Sequence, residues 1–311
     1  MNQVNVELGA RGLYRLDVFK ADAEGNKIGD PVKSTGWFDN LILNAGLAYW
    51  ADPGDTFTSC QVGSGSTAPA NTDTSLQTRI AGTSTVVSTT ENVQGTAPYY
   101  AFLRRIYEFG TGAAAGNLSE VGVGWGATGA TLFSRALIVD GGGTPTTITV
   151  LADEILQVTY EIRLYMPTGD VTGSFVSNAV TYNYTLRAAN VTSTAPWSLR
   201  YSPTFNLNRQ FFYAGAATLG AITSAPTGTS APASSASADT SPTGPTFNAT
   251  MAAALATANL VGGVGAVYFA SSASSGESGG AWQMGFSPAL PKDATKTLSV
   301  TISVTYGRYT P

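Results

Sequence analysis

The side chains that most often carry out catalysis are almost missing from this chain. Its 311 residues contain no histidine and one cysteine, Cys60. Without histidine, the Ser-His-Asp and Cys-His nucleophile systems are excluded, as are histidine-ligated metals and the commonest general base. A single cysteine also excludes an internal disulfide and a thiolate cluster, so we expect Cys60 to fill space in the core. These residue types argue against most enzyme classes.

Paired carboxylates are the acid–base chemistry that the sequence leaves open. The pairs to consider are Asp153-Glu154 with Glu161, and Glu108 with Glu120. Two carboxylates that face one cleft would be the arrangement of a glycosidase. Asp153 and Glu154 are neighbours at the start of a predicted strand, where successive side chains point apart, so a solvated turn is the favoured interpretation. We predict that the chain is not an enzyme and has no catalytic residue, no cofactor and no metal site.

Two other patterns could indicate ligand binding. Asp22, Glu24 and Asn26 alternate as in part of a calcium loop, but the later bidentate glutamate of an EF-hand is missing. Turn chemistry is therefore the favoured interpretation. The glycine-rich stretch 122–126 lacks both the lysine and the helix of a phosphate-binding loop. Its alternation of glycine with bulky residues predicts a strand that another backbone approaches closely.

Charge is scarce along the whole sequence. Charged residues make up 12% of the chain and hydrophobic residues 43%, with a net charge of −4. A surface of Thr, Ser, Asn and Gly has few charges to desolvate and little side-chain entropy to lose, which favours a protein packed into an assembly. A secreted β-domain is the alternative. The densest basic cluster is Arg104-Arg105, so we expect no nucleic-acid partner.

We expect neither a targeting segment nor a membrane span. Residues 1–7 lack the basic and apolar regions of a signal peptide. The window 251–270 is long enough to cross a bilayer, but Thr257, Asn259 and a glycine pair at 262–263 interrupt it. We predict a short Ala-rich helix there, followed by a glycine turn and a strand.

Alternation of apolar and polar residues predicts β-strands along the chain. The clearest case is 155–165, where Leu156 and Val158 share one face and Gln157 and Thr159 the other, as in a half-buried antiparallel strand. We predict an all-β, mainly antiparallel fold with two β-sandwich-like domains and short helices near 40–50 and 249–260. Further predicted strands are 13–19, 57–62, 83–90, 99–109, 132–139, 146–151, 171–176, 180–186, 210–213 and 297–309.

A domain boundary is predicted at 166–170, where Met-Pro-Thr-Gly-Asp interrupts the strand pattern. We expect an N-terminal β-domain at 1–167 and a C-terminal β-domain at 168–311. The second domain would contain a low-complexity loop at 223–245, either exposed or lying on a neighbour. Phe-Ser-x-Ala-Leu occurs at 133–137 and at 286–290, each time before a strand. A duplicated domain would explain this, as would chance in a chain so rich in Ser and Ala.

Several segments of the first half carry a family resemblance. They are GWFDNLILNAGL at 36–47, VGSGSTAPANTDTSL at 62–76, and NLSEVGVGW at 117–125 leading into LFSRAL at 132–137. In this order they resemble tailed-bacteriophage virion structural proteins of the tail and tail-fibre type, mainly over residues 11–167. The resemblance implies a virion component and supplies no catalytic residues.

The expected function is therefore structural. The chain would be a bacteriophage tail, neck or collar, or fibre-attachment protein, assembled into the virion in the host cytoplasm as a symmetric homo-oligomer beside other virion proteins. The alternative is a receptor- or glycan-binding fibre or capsid decoration protein. In that case Trp37, Trp125, Trp197 and Trp282 would stack on sugars of the host surface rather than anchor a core or an interface.

Overall fold

The computed structural model describes residues 4–50, 56–199, 209–238, 244–270 and 280–310. Nearly all regular structure in these residues is β-strand, which confirms the all-β, mainly antiparallel prediction. The elements in chain order are β1 (Val4–Ala21), β2 (Lys27–Ser34), β3 (Phe38–Asp39), β4 (Leu41–Ile42), α1 (Asn44–Trp50), β5 (Ser59–Gly63), β6 (Arg79–Thr83), β7 (Val86–Val93), β8 (Tyr100–Phe109), β9 (Gly116–Leu118), β10 (Glu120–Gly124), β11 (Leu132–Leu137), β12 (Ile148–Val150), β13 (Glu154–Tyr165), β14 (Val171–Ser177), β15 (Val180–Ala188), a short 3₁₀ helix (Ala195–Trp197), β16 (Phe211–Ala214), β17 (Ser230–Pro232), β18 (Ser235–Ala238), β19 (Thr246–Ala253), β20 (Val264–Ala270), β21 (Ala281–Leu290) and β22 (Leu298–Arg308).

The longest sheet among the described residues has nine strands and is built around β1. Its strands follow the order β18-β19-β22-β1-β13-β8-β7, and β2 and β3 also pair with β1. β1 and β22 are parallel, with Val4 opposite Ile302. β1 and β13 are antiparallel, with Tyr14 opposite Tyr160. We call this nine-stranded sheet the long sheet.

Apolar side chains at every second position give the long sheet a continuous inner face. On β1, Leu8, Tyr14 and Leu16 are fully buried, as are Val158 on β13 and Ile302 on β22. Burying one such side chain is worth about 1.5–3 kcal/mol. A slip of one residue would turn this whole apolar set outward, so the alternation fixes the register of the strands.

Two further sheets share the core of the long sheet. One has the order β4-β11-β10-β5-β6 and the other the order β14-β15-β21-β20-β16-β17, while β12 pairs with β9. The Tyr14 hydroxyl lies 2.8 Å from the Ser134 hydroxyl on β11, and the Trp50 ring stacks on Tyr306 of β22. Side chains of all three sheets belong to one hydrophobic cluster. This is the layered arrangement of a β-sandwich.

The sheets do not follow the predicted division at residue 167. The long sheet takes β1, β13, β8 and β7 from before the Met166–Asp170 stretch and β18, β19 and β22 from after it. The six-stranded sheet consists only of later strands. The two strands that follow the repeated Phe-Ser-x-Ala-Leu motif, β13 and β22, lie on opposite sides of β1 in one sheet, the first antiparallel and the second parallel to it.

The two helix predictions had different outcomes. α1 lies within the predicted range 40–50, but the prediction of a helix near 249–260 is wrong, because β19 occupies 246–253 between β18 and β22. Phe247, Ala249 and Met251 are fully buried at alternate positions, so strand pairing and burial outweigh the helix propensity of alanine. In the described part of the chain, no helix is long and apolar enough to cross a membrane.

The low-complexity segment 223–245 contains strands as well as loop. β17 pairs with β16 at one edge of the six-stranded sheet, and β18 pairs with β19 at one edge of the long sheet. Residues 239–243 lie outside the described residues. Small side chains bury little apolar area, but backbone pairing satisfies the polar groups of these strands. The segment therefore links the edges of two sheets.

Candidate functional site

The structure does not bring Glu108 and Glu120 together as a catalytic pair. Glu108 lies on β8 of the long sheet, where its carboxylate accepts a hydrogen bond from Gln157 at 2.7 Å. Glu120 begins β10 of the five-stranded sheet and is fully buried against Arg135. The two carboxylates thus belong to different sheets and have different partners, so they do not form the facing pair that glycoside hydrolysis needs.

Asp153 lies in the predicted turn with its side chain 68% exposed, whereas Glu154 begins β13, and both carboxylates bind lysine. Lys20 Nζ lies 3.1 Å from a carboxylate oxygen of each, so the two carboxylates share one ammonium group. Glu154 is 1% exposed and also binds Lys33 Nζ at 2.9 Å. Burial alone would raise the pKa of Glu154, but hydrogen bonds from Lys33, the Leu151 amide and Lys20 outweigh it and lower the pKa to about 2. A carboxylate held ionised in this way is a structural anchor.

The buried pair Glu120–Arg135 anchors the loop 64–78. Arg135 Nε and Nη2 donate to Glu120 Oε2 at 3.0 and 2.8 Å. Glu120 also accepts the backbone N–H groups of Gly65, Gln77 and Thr78 at 2.7–3.0 Å. Arg135 Nη1 also donates a hydrogen bond to Asp73 Oδ2 at 2.7 Å. A buried charge needs such complete pairing, and here the loop itself supplies the donors.

The close approach of Glu120 leaves no room for a side chain at Gly65 in this loop or at Gly63 at the end of β5. A Cβ atom at Gly65 would lie 2.5 Å from Glu120 Oε1, and one at Gly63 would lie 2.7 Å from the same oxygen. The Val-Gly-Ser-Gly segment at 62–65, Glu120 and Arg135 lie in three of the segments singled out from the sequence. They meet at one buried ion pair, which gives their spacing in the sequence a structural reason.

The other predicted ligand motifs are structural. Asp22 accepts hydrogen bonds from the backbone N–H groups of Glu24 and Asn26, which is the predicted turn. A Cβ at Gly124 would lie 1.8 Å from the Thr131 carbonyl oxygen, as expected for a strand approached closely by another backbone. No group of three metal-ligating side chains occurs in the described part of the chain.

A row of charged side chains crosses the outer face of the long sheet. Glu161 on β13 binds a different arginine with each oxygen: Arg104 Nε at 2.8 Å and Arg163 Nε at 2.6 Å. Glu161 is 2% exposed, whereas the side chains of Arg104 and Arg163 are 42% and 26% exposed. The carboxylate is therefore covered by arginines that keep part of their own surface open to solvent.

Aromatic rings lie among these arginines. The Arg104 guanidinium is 5.3 Å from the centre of the Trp37 ring, and Trp37 is 44% exposed. Arg163 lies 4.8 Å from the Tyr100 ring, and Tyr165 stacks on Tyr309 at 3.6 Å. We call this surface the aromatic–arginine patch. Its members are Arg11, Trp37, Tyr100, Phe102, Arg104, Arg163, Tyr165 and Tyr309.

The other half of the same outer face has different chemistry. On β18, β19 and β22 the outward positions carry hydroxyl and amide groups that pair across the strands, such as Thr250 with Thr301 at 2.9 Å and Ser303 with Asn248 at 2.6 Å. We call this surface the hydroxyl patch. Its members are Ser235, Ser237, Thr246, Asn248, Thr250, Thr301, Ser303 and Thr305.

The four tryptophans considered for sugar stacking lie in different environments. Trp197 and Trp282 are 1% exposed and pack edge to face with each other. Trp125 stacks on Tyr49 at 4.0 Å. Trp37 alone among the four is largely exposed. The neighbours of Trp37 were not predicted, although alternation along 99–109 places Tyr100, Phe102 and Arg104 on one face of the strand.

Comparison of the chain with family models, with curated proteins and with solved structures found no match.

Proposed function

We propose that the chain is a structural component of a bacteriophage particle, a tail, neck or fibre-attachment protein that acts through protein–protein interfaces. The observation that carries this proposal is the aromatic–arginine patch. Protein interfaces are enriched in Trp, Tyr and Arg, and these residues supply most of the binding energy when a partner excludes water from them. The patch holds these residue types on paired strands, so little conformational entropy is lost when a partner binds.

The convergence of the resembling segments supports the same proposal. The segments 62–76, 117–125 and 132–137 are far apart in sequence, yet they meet at Glu120 and Arg135. A similarity confined to scattered surface residues would have no such common centre. Four of the five carboxylates considered for catalysis bind basic side chains: Arg135, Arg104 and Arg163, or Lys20 and Lys33. The fifth, Glu108, accepts a hydrogen bond from Gln157. This pairing favours a structural function over glycoside hydrolysis.

A receptor- or glycan-binding decoration protein is the second candidate. The observation that favours it is the 44% exposed indole of Trp37, because an exposed indole is a side chain on which a sugar can stack. The same ring would serve as an anchor against a protein partner. The two functions differ in one consequence: a virion adaptor needs the patch for incorporation into the particle, whereas a glycan-binding protein needs it only for attachment to the host.

The test is incorporation of a Trp37→Ala variant into particles. Gradient-purified particles are assayed for the chain by mass spectrometry, with Leu255→Ala as the matched control because Leu255 is 50% exposed outside the patch. We expect wild type and Leu255→Ala in particles and at least a tenfold loss of Trp37→Ala. Particles without the wild-type chain would refute the virion proposal. Normal incorporation of Trp37→Ala combined with loss of host attachment would favour the glycan-binding function.

A further inference from the structure

The outer edge of the six-stranded sheet at β14 is unlike the other sheet edges. β14 (Val171–Ser177, VTGSFVS) contains no charged residue and no proline, and it pairs with β15 over seven residues without a register shift. Its other edge has no strand partner in the part of the chain that the structure describes. Val176 is 69% exposed there. A long, regular, uncharged edge is a template for pairing with another strand.

The remaining described edges carry the usual protection. β7 has a bulge between Val86 and Ser88 and includes Glu91. β6 includes Arg79 and lies beside a bulge in its pairing with β5. β17 has three residues and ends at Pro232. β3, β4, β9, β12 and β18 are two to four residues long, and β2 contains Pro31 and Lys33. Short length, charge, proline and bulges all prevent edge-to-edge association, so β14 is the edge left available.

We propose that β14 pairs antiparallel with β14 of a second copy of the chain about a two-fold axis. Such a contact uses the same surface on both copies, so the strand must be complementary to itself. With the axis at Ser174, all seven residues of each strand are paired. Ser174 then lies opposite Ser174 of the second copy, Thr172 opposite Val176, and Gly173 opposite Phe175.

The residue pattern of β14 fits this register. Thr172, Ser174 and Val176 form the exposed face, so the pairing brings hydroxyl and β-branched side chains together. On the other face, Phe175 packs against the core and would lie beside Gly173 of the second copy. An aromatic ring beside a cross-strand glycine is a recognised stabilising arrangement. No like charges face each other, because β14 has none.

The charged groups at the two ends of β14 are paired within the chain. Asp170 precedes the strand and is paired with Arg187. At the other end, a groove of about 620 Å³ is lined by Val176, Ser177 and Lys296. Lys296 is itself paired with Asp293, so antiparallel pairing, which directs Asp170 of each copy toward the Lys296 end of the other, brings no unpaired like charges together. A strand that entered in parallel would place Asp170 beside Asp170, which costs energy through like-charge repulsion.

The β14 contact rests on the proposed function, because it would be one of the contacts between copies of the chain in the particle. Its test is nevertheless separate, because it measures the contact between two chains and not their incorporation into particles. Cross-linking without incorporation would refute the virion proposal alone. Incorporation without cross-linking would refute the β14 contact alone.

Disulfide trapping tests the contact and its register. Cα atoms directly opposite each other in an antiparallel pair lie about 4.5–5.5 Å apart, within the range of about 4.4–6.8 Å that a disulfide spans. Wild type is a clean background because Cys60 is fully buried. Variants Ser174→Cys, Thr172→Cys and Val176→Cys are oxidised as purified full-length chains and in purified particles, with Ser88→Cys on the β7 edge as the matched control.

The expected result is a covalent dimer of Ser174→Cys in at least one of the two preparations. Thr172→Cys and Val176→Cys should form dimers only when mixed with each other, and Ser88→Cys should stay monomeric. A Ser174→Lys variant should abolish any dimer that sedimentation detects for wild type, because it places two like charges opposite each other. Absence of Ser174→Cys dimers in both preparations, or equal dimer formation by Ser88→Cys, would overturn the proposal.

Discussion

Two glutamates of this protein are buried to nearly the same degree but are enclosed in different ways. Glu120 is 0% exposed and is surrounded by Arg135 and by backbone N–H groups of the loop 64–78. Glu161 is 2% exposed and is covered by Arg104 and Arg163, with Trp37 against Arg104 on the solvent side. The first carboxylate lies in the interior and the second on an outer sheet face.

The difference separates a structural ion pair from an interaction surface. Around Glu120 the chain supplies every bond and closes the site, so nothing in that arrangement calls for a partner. Around Glu161 the arginines and the indole ring keep exposed surface, which a second protein could desolvate. Charge pairs gain strength when water is excluded from them. Substitutions at the two sites should therefore differ in their effect on stability.

The largest effect is expected from breaking the enclosed pair. Arg135→Met removes the bonds to Glu120 and Asp73 and leaves a buried carboxylate without a cation, which should lower the free energy of unfolding by about 3–5 kcal/mol. Urea denaturation measures it. The double variant Glu120→Gln/Arg135→Met should lose less than Arg135→Met, because no uncompensated charge is left. A loss below about 1 kcal/mol for Arg135→Met would show that the pair does not hold the loop.

Glu154 gives a test of intermediate size, because it is buried like Glu120 but held by two partly exposed lysines. Its pKa in the folded chain is about 2, below the ordinary value of 4.5. Its stabilisation is therefore fully present above pH 4.5 and is lost as the pH falls from 4.5 to about 2. We expect Glu154→Gln to cost about 2 kcal/mol at neutral pH and almost nothing near the acid end. A difference from wild type that does not shrink with falling pH would contradict this assignment.

A smaller loss of stability is expected when an arginine beside Glu161 is replaced. Arg104→Ala should cost about 1 kcal/mol, because Arg163 still binds Glu161 and the lost pair is partly solvated. Arg11→Ala, which removes an exposed pair with Asp39, is the control and should be nearly neutral. Thermal unfolding of both variants beside Arg135→Met makes the comparison. If Arg104→Ala were as destabilising as Arg135→Met, the outer row would be a structural element of the same kind as the buried pair.

Periodicity predicted most of the strands of the fold but not how these strands pair in sheets. The alternation at 155–165 and 297–309 corresponds to β13 and β22, because one apolar face toward the core demands it. The same signal did not indicate that β22 would pair in parallel with β1, since parallel and antiparallel neighbours require the same alternation. At 246–253 the alanines concealed a strand, because their small side chains give a weak periodic signal.

The Glu120–Arg135 pair and the aromatic–arginine patch were predictable only in part, because both depend on how distant strands pair. The spacing of Gly63, Gly65, Glu120 and Arg135 was visible as a resemblance, but the ion pair that joins them depends on contacts across 55 residues between Gly65 and Glu120. Arg104 was noted only as part of a basic pair. Its position beside Trp37 depends on β3, β1, β13 and β8 lying side by side, an order that no local pattern encodes.

The central claim is that the aromatic–arginine patch is a protein interface within a phage particle. A reconstruction of the whole particle, with the chain located in it, measures this most directly through the exposed fraction of Trp37. We predict that this fraction falls from 44% in the isolated chain to nearly zero, with a neighbouring virion protein covering Arg104 and Tyr100. A particle in which the chain is present with Trp37 still open to solvent, or from which the chain is absent, would contradict the account.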